Sequence, residues 1–132
     1  MPRSKMAPPA SSGPSHLNLS VLVGRLTRPI EERSLPSGGR LASLEVTVER
    51  GDGERNEAVP VSWFDPPAEL ATFGTGVEVL IVGRVHRRFF RSGGRTQSRT
   101  DVAAEFVVPL ARRSAVSRAL ARATELLASG PS

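Results

Sequence analysis

Residues 74–90 read GTGVEVLIVGRVHRRFF, and this stretch decides the fold. Val77, Val79, Ile81, Gly83 and Val85 alternate with Glu78, Leu80, Val82, Arg84, His86 and Arg88. That is the two-residue period of a strand, in which the odd-numbered set faces a core and the even-numbered set faces the other way. Gly93-Gly94 then tips a hairpin into a further strand, from about Thr96 to Val108.

Working back toward the N-terminus, the pattern stays strand-like. LSVLVGRL, with Val21 and Val23 alternating with Leu22 and Gly24, is a mostly apolar run expected to be occupied on both faces. Leu41, Leu44, Val46 and Val48 form a second strand, and the slip between 41 and 44 predicts a bulge. Gly51-Asp52-Gly53 reads as a hairpin tip. The third strand, Ala58 to Phe64, puts Val59, Val61 and Trp63 on one face; Pro60 cannot donate to a ladder and marks an edge or a kink. PPAELATF is a short helix stopped by Gly74. Residues 111–128 carry Val116, Leu120 and Leu127 at helical spacing and predict a C-terminal helix. The expectation is an all-β chain of five strands with one short helix between the third and fourth, the order of an oligonucleotide/oligosaccharide-binding (OB) barrel. Its units are a Pro/Ser-rich disordered arm over 1–16, the barrel over 17–109 and a helical or flexible tail over 110–132.

Composition narrows the function classes. The chain has 132 residues and no cysteine, which excludes a disulfide framework, a zinc ribbon and a thiol nucleophile. With only His16 and His86, a histidine metal site is not expected, and no cofactor is called for. Seventeen arginines and one lysine face 13 acids, for a net charge of +5. Arginine holds its charge, grips phosphate bidentately and stacks on flat rings. The glycine-rich stretches lack the Lys-Ser/Thr of a phosphate loop, and the carboxylates form no evident pair, so catalysis is not expected. No apolar run has membrane-span length and no apolar leader opens the chain; a cytoplasmic protein is expected, with no membrane or small-molecule partner.

Three stretches carry a resemblance. NLSVLVGRLTRPIEERSLPSGG from Asn18, EAVPVSWFDPPAEL from Glu57, and GTGVEVLIVGRVHRRFF from Gly74 resemble, in order and spacing, the bacterial single-stranded DNA-binding protein family. TDVAAEFVVPLARRSA is similar to the last strand and tail of actinobacterial members. The resemblance implies an OB fold, self-association as a dimer or tetramer, and wrapping of single strands without sequence preference in replication, recombination or repair, at the nucleoid. Phe64 and Phe90 stand where the family places stacking aromatics. Ala58 stands where an aromatic is usual and Pro60 where a basic residue is common; the loop over 50–56 is short, and the chain ends Ala-Ser-Gly-Pro-Ser in place of an acidic, Phe-terminated tip. These departures point to a divergent or accessory paralogue. They also leave a second reading, a barrel kept as a protein-interaction adaptor or as a mixed subunit beside a full family member, and RNA stands as another ligand.

Binding a strand without reading it needs flat side chains for the bases and positive charge along the phosphates. Arg84, Arg87, Arg88, Arg91, Arg95 and Arg99, with His86, Phe89 and Phe90, supply both with no acid among them. By parity Arg84, His86, Arg88 and Phe90 share the face away from the core. Phe89 lies on the inward register and reads equally as core or as ligand. Phe64 reads as a stacker or as a barrel lid, and Trp63 as core or subunit interface. Arg25, Arg28, Arg33 and Arg40 extend the basic track or are ordinary surface. The tail arginines Arg112, Arg113, Arg118 and Arg122 fit a phosphate-contacting helix or the polar face of a docked one.

Overall fold

The strand read from residues 74–90 is one arm of a long hairpin. In the computed structural model, which describes residues 16–52 and 55–129, β5 (Glu78–Ser92) and β6 (Arg95–Pro109) pair antiparallel along their whole lengths. Gly93 and Gly94, at φ 62° and 78°, turn the chain between them in the left-handed region that a two-residue hairpin tip requires. The preceding strands are β1 (Ser20–Leu26), β2 (Glu31–Ser34), β3 (Arg40–Val48) and β4 (Glu57–Phe64). A short 3-10 helix, Ala68–Thr72, joins β4 to β5, and α1 (Arg113–Ser129) follows β6. The arm expected over 1–16 lies outside the described residues but for His16, as does Gly53 of the expected tip.

The strands form one sheet in the order β1-β5-β6-β4-β3-β2, and β1 also pairs with β3 at Arg25↔Thr47 and Leu26↔Val46. That contact closes β1, β5, β6, β4 and β3 on themselves, with the short helix between the third and fourth of the long expected strands: the OB fold. All pairings are antiparallel except β4 with β6, which meet in parallel only at Val61↔Val102 and Ser62↔Ala103. Pro60 sits just before that contact, where its missing N–H costs no ladder bond to β6. The structure adds β2, whose EERS sequence is exposed throughout and so has no apolar period to reveal it.

The core gathers Leu26, Leu44, Val46, Val61, Trp63, Leu70, Phe73, Val79, Ile81, Val102 and Val107. Trp63 belongs here, its ring stacked on Phe73 with centroids 6.2 Å apart. A bulge does exist, but not where the 41–44 slip predicts one. β3 and β4 pair without interruption from Leu41↔Phe64 to Val48↔Glu57; Ala42 takes the core position and Leu41 is buried on the opposite face. The register shift falls between Val82 and Gly83 of β5, opposite Glu105, the extra residue of β6. There a β-carbon on residue 83 would stand 2.3 Å from the Ala103 carbonyl oxygen, so only glycine fits the close approach of the two backbones.

Three burial expectations are corrected. Val85, read as core-facing, is half exposed, because β5 has by then run past the barrel. β1 is not covered on both faces: Val21 and Val23 are 45% and 50% exposed. In α1 the docking stripe is Val116, Ala119 and Ala123, seated on Leu80, Val82, Phe106 and Val108, whereas Leu120 and Leu127 are exposed. The helix meets the sheet through alanines because small side chains let it lie close.

Candidate nucleic-acid interface

Beyond Val85 the β5–β6 hairpin leaves the barrel, and every residue from Arg95 to Thr100 is exposed. Cross-strand pairs along the arm include Arg84↔Ala103, His86↔Asp101, Arg88↔Arg99 and Phe90↔Gln97. Strand alternation therefore collects Arg84, His86, Arg88 and Phe90 with Arg95 and Arg99 on one side, and puts Arg87, Phe89 and Arg91 on the other. The structure thus divides the expected site residues between two faces of the arm. Phe89 is not core: it is 68% exposed, with the Arg87 guanidinium 5.6 Å from its ring centroid, a cation–π contact. Arg87 also donates to Ser98 Oγ at 3.2 Å, and Arg91 to the Gly94 carbonyl at 3.1 Å.

The arm carries a groove of ≈ 450 Å³ that draws on residues of both sides, lined by Arg33, Arg88, Phe89, Phe90, Arg91 and Arg99. Among the described residues no carboxylate lines it. Phe90 is 43% exposed there, and Arg33 reaches it from β2. The remaining early arginines are spoken for: Arg25 pairs with Glu49 and Glu78, Arg28 with Glu45, and Arg40 with Glu32. Among the described residues Arg33 has no such partner, and that singles it out from its neighbours. Phe64, at the end of β4, lies elsewhere, in a second hollow of ≈ 310 Å³ shared with Arg84, Gly83 and Ala103.

Between the two hollows sits a polar cluster. Asp101, 4% exposed, accepts a 2.5 Å hydrogen bond from Ser62 Oγ. Arg88 Nε lies 3.1 Å from its Oδ2, and His86 Nδ1 lies 3.7 Å from its Oδ1. The latter two contacts miss hydrogen-bond geometry, so charge and not direction holds them, with His86 contributing charge only when protonated. A carboxylate inside a basic face fixes Arg88 from below and ties β4, β5 and β6 together where β4 and β6 barely pair. Sequence reasoning passed over Asp101 and Ser62. A signal was there, since a two-residue tip at Gly93-Gly94 fixes the register back to Arg84 and puts Asp101 opposite His86.

Just before α1, Arg112 pairs with Glu69, and on the helix Arg122 pairs with Glu105 at 2.9 Å and with Glu125. The hydrogen bond and charge of Glu105 raise the Arg122 pKa above its ordinary value. Arg113 and Arg118 have no acidic partner among the described residues. In the same residues no group of acidic or histidine side chains is arranged to hold a metal, and no helix is long and apolar enough to cross a membrane.

Comparison with known proteins places the chain in a family. The model of the single-strand binding protein family matches residues 17–110. The single-stranded DNA-binding protein of Wolinella succinogenes is 36% identical over 98 residues, covering 67% of this chain and 60% of that protein. The proteins of the same name from Oceanobacillus iheyensis and Helicobacter hepaticus are 35% and 34% identical, over 69% and 67% of this chain. The match spans about three fifths of the length of these curated relatives.

Proposed function

The chain belongs to the single-strand binding protein family, and from that premise we propose that it binds single-stranded DNA without reading its sequence, as a binding protein and not an enzyme. The observation that carries this reading is the groove on the β5–β6 arm, where a half-exposed Phe90 ring lies among Arg33, Arg88, Arg91 and Arg99 with no carboxylate on its walls. Every base has a flat face and every nucleotide a phosphate. A ring flanked by guanidiniums therefore meets what all sequences share and nothing that distinguishes them. Arg84, with His86 beside it, continues the track toward the Phe64 hollow and Arg95 extends it to the tip, while Arg87 and Phe89 offer a second side to a strand that wraps the arm. The nearest cellular roles are the coating and tethering of single strands in replication, recombination or repair.

We also infer self-association, as a dimer or tetramer. β1 pairs with β5 on one side, its Ser20–Gly24 edge has no strand on the other among the described residues, and Val21 and Val23 beside that edge are open to solvent. The test of function is fluorescence anisotropy of labelled oligo-dT at two salt concentrations, with an unlabelled RNA oligomer as competitor. Affinity that falls as salt rises supports the reading, because each phosphate contact releases condensed counterions. Absent binding at low salt would overturn it and leave the barrel as a protein-interaction adaptor. Preferential displacement by RNA would reassign the strand.

A further inference from the structure

Building on that reading, we propose that the single strand runs past the arm and over Phe64 into a groove walled by α1, with Arg118 as its far phosphate contact. A third hollow, ≈ 500 Å³, lies between β4, β6 and the helix, and Trp63, Phe64, Asp65, Ala104, Phe106 and Arg118 are among its walls. It adjoins the Phe64–Arg84 hollow, sharing Phe64, Ala104 and Glu105 with it. The two make one channel with a half-exposed ring at its middle and an arginine at each end. Its floor is small and apolar where Ala103, Ala104 and Ala115 line it, which leaves room for a base beside the ring.

Charge favours a polyanion here although three acids line the channel. Glu69 is paired with Arg112 and Glu105 with Arg122. Asp65 Oδ1 accepts the Arg40 backbone N–H at 2.9 Å. Two of the three acids are thus offset by arginines outside the channel walls, whereas Arg84 and Arg118 are exposed and have no acidic partner among the described residues. Arg113, the other unpaired arginine of α1, does not line the channel. From Arg84 to Phe90 the strand covers about 20 Å at the usual rise per residue, so the arm groove and this channel are successive stations on one track.

The experiment compares the full chain with R118E, R118A and R113E on oligo-dT of increasing length, by anisotropy across a salt series, with thermal melts alongside. R118E and R113E change the net charge equally, so only position separates them. For R118E and R118A on long oligomers, the expected result is weaker binding, with the slope of log affinity against log salt shallower by about 0.7, one contact on a single strand. The expected slope for R113E is that of the unmodified chain. Equal behaviour of R118E and R113E would overturn the channel while leaving the arm intact. Failure of the unmodified chain to bind any oligomer would instead overturn the reading beneath it.

Discussion

At Phe90 the ring makes its case by having little else to do. It is 43% exposed and belongs to neither apolar cluster, so its removal should spare the fold. F90A is expected to lose about 1–3 kcal/mol of strand binding, the usual worth of one stacking platform, with an unchanged melting temperature. Gly83 is the opposite case. A β-carbon there meets backbone and not a movable side chain, so G83A is expected to cost about 1–3 kcal/mol in a denaturant melt, as overpacking does. Asp101 falls between them: D101A leaves the buried Ser62 hydroxyl without its acceptor, at an expected cost of about 1–3 kcal/mol. Alternation in the sequence is enough to put Phe90 on the outward face. It misplaces Val85 and leaves Phe89 open between core and ligand, because a two-residue period states which side a residue takes but not where the barrel ends beneath it.

Among the elements, α1 shows best what a pattern conveys and what it withholds. Helical spacing predicts the helix, yet of the Val116, Leu120 and Leu127 it nominates only Val116 packs on the sheet, although large apolar residues ordinarily mark a buried face. The sheet instead takes Ala119 and Ala123, fully or almost fully buried, and no sequence rule weighs closeness of approach against side-chain bulk. The substitution pair that checks this is A119L and L120A. A119L is expected to overpack the seat and destabilise the chain by about 1–3 kcal/mol. L120A, on an exposed position, is expected to stay within about 0.5 kcal/mol of the unmodified protein. Thermal melts that ranked the two the other way would mean that the helix sits on its leucine face. The same limit hid β2, a strand made by pairing to β3 and not by any apolar face of its own.

For the whole molecule, the question is how a sheet closed only through Arg25 and Leu26 of β1 keeps the rest of that edge from indiscriminate pairing. α1 covers the outer face over Leu80 and Val82, but the cross-strand partners of those residues on β1, Val23 and Val21, lie beyond its cover. An edge that is apolar, unpaired and free of lysine recruits another strand unless something blocks it. An antiparallel pair of β1 strands about Leu22 would set Val21 of one copy against Val23 of the next and use both edges at once. Closure by a two-fold axis then limits growth, as isologous contacts do. The double substitution V21K/V23K puts charge on that strip without touching the core, and it is expected to shift sedimenting mass from dimer or larger toward monomer. Binding to an oligomer too short to reach a second copy should persist. Binding to long strands should weaken, because linked sites gain from the high effective concentration of the second once the first is filled. A chain that already sediments as a monomer at tens of micromolar, with the lysines changing nothing, would remove β1 from the assembly and place any gain on long strands in the track of a single barrel.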